Sequence, residues 1–162
     1  MRVIKDNSIV EDNWQRIDQI DDDQSLPDGD VIVPFSYWQA NREELLNRIS
    51  GLGICINGDV ETEEVARDLN HFSLIALEFP KFNDGRSYSH ARLLRDRYGF
   101  KGELRAVGDV LRDQLFFMKR CGIDSFELRK DKDIEDALNA FSEFSVKYQP
   151  AADATEPVWR HR

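Results

Sequence analysis

Apolar runs recur along this chain at a steady interval. "VIVPF" (31–35), "LGICIN" (52–57), "LIALEF" (74–79), "ELRAVG" (103–108) and "SFELR" (125–129) predict five strands. Their starts at 31, 52, 74, 103 and 125 are spaced as βα units, and each run is followed by a helical pattern. The first helix has Asn41 as expected N-cap with Glu44 three residues on, then Leu45, Leu46 and Ile49, and stops at Gly51. A weaker pattern follows in "ETEEVARDLNHF". The third helix is expected from Arg86 to Tyr98, ended by Gly99. The fourth is expected to start at Asp109, bury Leu111, Leu115 and Met118, and end at Gly122. The last starts at Asp133 and carries Ile134, Leu138, Phe141 and Tyr148.

Ahead of these units, "RVIKDNSIVEDNW" predicts two short strands around a turn at Asp6, Asn7 and Ser8, followed by an acidic loop ending in Pro27-Asp28-Gly29. The organisation expected is an N-terminal hairpin and acidic loop over 1–30, one α/β domain over 31–148, and a flexible tail over 149–162.

βα alternation implies a mainly parallel sheet with right-handed crossovers. Strands buried on both faces are normally apolar throughout, and three of these are not. Glu78, then Glu103 and Arg105, then Glu127 and Arg129 alternate with Leu77/Phe79, Leu104/Ala106 and Phe126/Leu128. One face of those strands is therefore charged. A flavodoxin-like open sheet, the alternative, would have to bury that charge under helices at high cost. A partial TIM-barrel-like curl would collect it on the concave side, and five units are too few to close an eight-stranded barrel. A homodimer is one way to cover the open side.

The chain has 162 residues and a net charge of −9, with eight Asp and one Glu in the first thirty positions. That balance disfavours nucleic acid and anionic membranes as partners. No run approaches the roughly 20 apolar residues of a membrane span, and no secretory leader is visible. Cys55 and Cys121 are far apart and form no C-x-x-C, so a cytoplasmic setting is the default expectation.

In either sheet arrangement chemistry belongs at the carboxyl ends of the strands. "KFNDGRSYS" stands there. Gly85 suits a tight turn into a helix whose first amides favour an anion. Lys81, Arg86, Ser87 and Arg112 are candidate ligands for a small oxyanion or phosphate, with Asp84 or Asp109 as general acid or base. The plainer alternative is a capped helix with surface ion pairs. Arg92, Arg95 and Arg97 read as a solvated helix face or a docking patch, and Trp159 with Arg160 as a peptide anchor in the tail. His90 reads as a surface residue. The histidines show no metal spacing and no nucleotide loop is present, so no metal and no cofactor is named.

The combination F-P-x-F-x-D-G-R, then G-E-L-R-A-x-G-D-V, then D-Q and the Arg120-Cys121-Gly122 turn resembles an uncharacterised bacterial domain-of-unknown-function family. Its members are commonly labelled oxidoreductases involved in sulfite reduction. The resemblance covers roughly residues 30 to 148 and implies a pathway, sulfite and sulfate assimilation into cysteine, more than a chemistry. It points to an accessory protein that binds sulfite reductase or its electron donor. An oxidoreductase or other enzyme of a small oxyanion or phosphate ligand is the alternative.

Overall fold

A computed structural model describes residues 2–20, 25–80, 85–129 and 132–147, with side chains as far as Phe141. Strands β1 (Arg2–Lys5) and β2 (Ser8–Glu11) form the expected hairpin, with Asp6 and Asn7 at φ 52° and 63° in its turn. Then come β3 (Gln15–Arg16), β4 (Val31–Pro34), α1 (Phe35–Ala40), α2 (Arg42–Leu46), β5 (Leu52–Ile56) and α3 (Thr62–Ala66). The second half holds β6 (Leu74–Phe79), α4 (Arg86–Arg92), β7 (Glu103–Gly108), α5 (Leu115–Arg120), β8 (Ser125–Phe126) and α6 (Ile134–Lys147).

One sheet contains all eight strands in the order β2-β1-β8-β7-β6-β5-β4-β3. From β3 to β8 every pairing is parallel, while β1 joins β8 and β2 antiparallel. Because consecutive parallel strands are also spatial neighbours, right-handed crossovers put every helix on the same side. A flavodoxin-like sheet reverses its strand order midway and has helices on both faces, so that alternative is set aside. The sheet is a curled half-barrel, helices outside.

The alternation along the strands sorts the two faces. Val31, Val33, Ile54, Ile56, Ile75, Leu77, Leu104, Ala106 and Phe126 point outward into the main core beneath the helices. Trp38 of α1 is fully buried there, edge-on to Phe72 at 5.0 Å, and its indole N–H donates to Asp68 at 3.1 Å. The inner face carries a smaller apolar set, Ile32, Leu74, Ala76 and Val107, on which Trp14 packs. Charged residues occupy the rest of that face.

Several local expectations change. Asn41 separates α1 from α2, and its side chain donates to the Tyr37 carbonyl rather than capping a helix. After β7 the chain turns at Gly108 (φ +91°), where the Val110 amide donates to the Gly108 carbonyl at 3.0 Å, and Leu111 is extended (φ −104°, ψ 145°), so the fourth helix starts late, with a 3-10 turn at Arg112–Gln114 leading into α5. Asp109 is therefore not a cap. Asp133 does cap α6, accepting from the Glu135 and Asp136 amides at 3.0 and 3.2 Å. After Arg92 the α4 helix widens into a π turn over Leu93–Arg97 and ends at Gly99, φ +66°.

Candidate functional site

Of the residues singled out from sequence, Arg86, Asp109 and Arg112 stand at the carboxyl ends of the strands. Lys81 and Asp84 lie outside the described residues. Gly85 precedes α4 with φ −82°, and no described residue lies within 4 Å of where a Cβ would stand, so its φ does not require glycine there, contrary to expectation. Arg86 donates to Asp59 at 2.7 Å, a pair exposed on both sides and so worth little to stability. Its side chain lies over Gly58, where a Cβ would come within 2.8 Å of Nε.

Ser87 points the other way. It is 1% exposed, and its hydroxyl donates to the Glu78 carbonyl at 2.7 Å, tying α4 to β6. Asp109 accepts from Arg129 at 2.7 Å, and Arg112 pairs with Asp136 of α6 at 2.9 Å. Around this rim, then, Arg86, Arg129 and Arg112 each face a carboxylate from a neighbouring segment. His90, expected at the surface, is buried between sheet and helices. Neither of its ring nitrogens has a hydrogen-bond partner among the described residues.

The hollow is charged as the alternation requires, and its charges are bound by the N-terminal segment. Arg105, 1% exposed in the middle of β7, donates to both oxygens of Asp12 at 2.8 Å each and to Glu103 at 2.8 Å. Glu103 also accepts from Ser125 at 2.6 Å and pairs with Lys5 at 3.0 Å. Burial alone would raise the Glu103 carboxyl, but Ser125, Lys5 and Arg105 more than reverse that and hold it below its ordinary range. Arg16 of β3 reaches across to Glu127 at 2.8 Å and also holds Asp18 at 2.9 Å. Beside this group Cys55 is pushed up to about 12, by burial first and then by Glu78. Its thiol is a packing group, not a nucleophile.

Outside the sheet, α4 and α5 lie next to each other and build a mixed aromatic and basic face. Tyr88 meets Phe79 edge-on at 4.9 Å and Phe117 at a tilt at 5.0 Å, so an aromatic row climbs from the end of β6 to the surface. Phe117 is 50% exposed. One turn further along α4, Arg92 lies 4.0 Å from Asp96, and its charge opposes the burial that raises the Cys121 thiol. Arg120 lies over the Phe116 ring at 6.0 Å. The buried stripe of α5 runs through Leu115 and Met118, which leaves Phe117 off it; that spacing was the available signal for an exposed aromatic.

Arg95 has a different setting from Arg92. Its guanidinium donates to the carbonyls of Gly122 (3.0 Å), Phe100 (2.8 Å) and Gly102 (2.7 Å) and sits 3.4 Å from Asp124. Burial lowers its pKa from the usual range, with Asp124 opposing. Gly122 makes room for it: at φ +106°, a Cβ there would fall 2.6 Å from Arg95 Cγ. Arg95 thus holds loop carbonyls together at the amino ends of the strands. There it borders a cleft of about 250 Å³ floored by Ile123 and Phe126, with Asp6, Asp96, Asp124 and Lys119 on its walls. Sequence reasoning did not anticipate this cleft. Trp159 and Arg160, expected to bind a partner, lie outside the described residues.

Fold and site together define an α/β half-barrel whose charged hollow is tied to its own N-terminal segment and whose outer helices expose an arginine-flanked aromatic face. A family model described as bacterial protein of unknown function (DUF934) matches residues 53–159, and the chain belongs to that family. No curated protein and no solved structure matches it. Among the described residues no helix is long and apolar enough to cross a membrane.

Proposed function

We propose that this chain is an accessory protein of sulfite reduction that works by docking a protein partner on the α4–α5 face. The observation that carries this is Phe117, half-exposed and in tilted ring contact with Tyr88, with Arg120 over the neighbouring Phe116 ring and Arg92 one turn beyond Tyr88 on α4. Aromatic residues and arginine are the side chains enriched at the centres of protein interfaces. A ring standing half in water gains by being covered, and the neighbouring guanidiniums select an acidic rim on the partner. The pathway comes from the resemblance, densest over residues 79 to 128, to proteins labelled for sulfite reduction, which makes sulfite reductase, or the protein that delivers its electrons, the expected partner. Capture of purified sulfite reductase by the tagged chain, with and without Phe117→Ala/Arg92→Glu, tests the reading.

A second reading has its own support. The pairs Arg86–Asp59 and Arg129–Asp109 sit at the carboxyl ends of the central strands, where an oxyanion could exchange with a carboxylate for a guanidinium. Asp109 is largely shielded and is the candidate acid or base. Calorimetric titration with sulfite and with sulfate, on the wild type and on Arg86→Ala, tests it: heat of binding that the substitution abolishes supports the enzyme, and no heat with either anion removes it.

A further inference from the structure

Glu78 stands apart from the other charged residues of the hollow. Ile75, Leu77 and Phe79 of β6 point outward into the main core, so Leu74, Ala76 and Glu78 face inward. Leu74 and Ala76 are buried, while Glu78, the last inward position before the rim, is exposed. Among the described residues its carboxylate has no hydrogen bond and no ion pair. Arg16, whose charge acts on the Cys55 thiol together with that of Glu78, is already taken by Glu127 and Asp18. An unengaged carboxylate on the inner face, at the carboxyl end of a central strand, is where barrel-like sheets place their chemistry.

Register sets its surroundings. β6 lies between β5 and β7. Glu78 is level with Val107 of β7, and the pairing of Ile56 with Leu77 puts Asn57 level with it on the other side. Two residues beyond Asn57 stands Asp59, paired with Arg86, and two beyond Val107 stands Asp109, paired with Arg129. The Glu78 carbonyl also accepts from the Ser87 hydroxyl at 2.7 Å, which fixes the start of α4, and with it Arg86, against the same residue. Glu78 is thus flanked by two guanidinium–carboxylate pairs, each with a part-exposed arginine.

We infer that Glu78 is the proton-transferring carboxyl group of a site that takes a small oxyanion between Arg86 and Arg129. The inference rests on the second reading above and deepens it: Asp109 already accepts from Arg129, whereas both oxygens of Glu78 are open to a ligand. An oxyanion held there stands beside a carboxylate. That repulsion is removed when Glu78 takes up a proton and donates its O–H to a ligand oxygen. Anion binding therefore draws a proton onto Glu78, the state in which it serves as an acid toward the ligand.

The test titrates the full chain with sulfate at about pH 6, where unperturbed carboxyl groups are ionised and sulfate itself gains no proton. Calorimetry in two buffers of different ionisation enthalpy reads the protons taken up per anion bound. Wild type should take up a measurable fraction of a proton. Glu78→Gln, which removes the negative charge and keeps a hydrogen-bond donor, should bind sulfate several-fold more tightly, with that uptake gone and the thermal midpoint unchanged. A lowered midpoint would instead assign Glu78 a structural role. No sulfate binding by the wild type removes the site and the inference together. Binding that Arg86→Ala weakens, but whose affinity and proton uptake are the same in Glu78→Gln, leaves the site standing and overturns the role of Glu78. Binding undiminished in Arg86→Ala is of an anion elsewhere and overturns the placement.

Discussion

Arg105 and Asp12, 93 positions apart in the chain, meet in the hollow of the half-barrel through two hydrogen bonds of 2.8 Å each. Both side chains are nearly inaccessible, at 2% and 6%. The bidentate pair fixes where the segment after the hairpin crosses the inner face, and so where Trp14 and Arg16 land.

Arg105→Leu leaves Asp12 buried without its partner and Glu103 with one fewer. It should cost about 3–5 kcal/mol, the usual loss when one side of a buried pair is removed. Urea unfolding measures it; a loss below about 1 kcal/mol would show that the pair is not structural.

Glu103 gives the fold a defined acid sensitivity. Its pKa is held below the ordinary 4.5, so its stabilising contribution is complete above that value and disappears as pH falls through the lower, folded value. Asp124, raised above 3.8 chiefly by burial, acts with the opposite sign: its contribution is full below 3.8 and is lost as pH rises through its folded value. The stability gap between wild type and Glu103→Gln should therefore be constant near neutrality and narrow in acid. A gap unchanged down to the acid transition would contradict the assignment.

Neither cysteine should react as a native nucleophile. Burial raises both thiols, Cys55 to about 12. A thiol-specific disulfide reagent at about pH 8 should label both only after unfolding, since the thiolate is the reacting form. Rapid labelling of Cys55 in the folded protein would refute this.

Gly108 takes φ +91° where β7 meets β6, and a Cβ there would come within 2.5 Å of the Phe79 carbonyl oxygen. Gly108→Ala combines left-handed strain with a backbone clash and should cost more than about 2 kcal/mol. Gly85→Ala, at φ −82° with no described residue within 4 Å of the added Cβ, should be close to neutral. Thermal denaturation of the two variants side by side checks the contrast.

How much of this the sequence disclosed depends on how local each determinant is. β6 and β7 appear with the bounds expected, because alternation of apolar and charged residues in one strand reports its two faces without help from elsewhere. The same alternation at Glu103, Arg105 and Glu127 indicated the curl. β3 was not legible: Gln15 and Arg16 have no strand pattern and are placed by pairing with Val31 and Ile32 and by the reach of Arg16 to Glu127. "SFELR" shortens to Ser125–Phe126, which pair with Lys5 and Ile4 of β1 and with Arg105 and Ala106 of β7. Arg86, Asp109 and Arg112 follow strand ends in the sequence, and each meets an oppositely charged residue there. Their partners, Asp59, Arg129 and Asp136 in turn, come from other segments of the chain and could not be read from spacing. Arg95 looked like Arg92 in sequence, and only the position of Gly122 tells them apart.

The account turns on the α4–α5 face as a docking surface, and the most direct measurement is retention of purified sulfite reductase, or of its electron-donor protein, by the immobilised full chain. Wild type should retain one of them, and Phe117→Ala/Arg92→Glu, with unfolding stability within about 1 kcal/mol of wild type, should bind at least roughly ten-fold more weakly. Retention of neither protein by the wild type, or equal retention by the double variant, would contradict it.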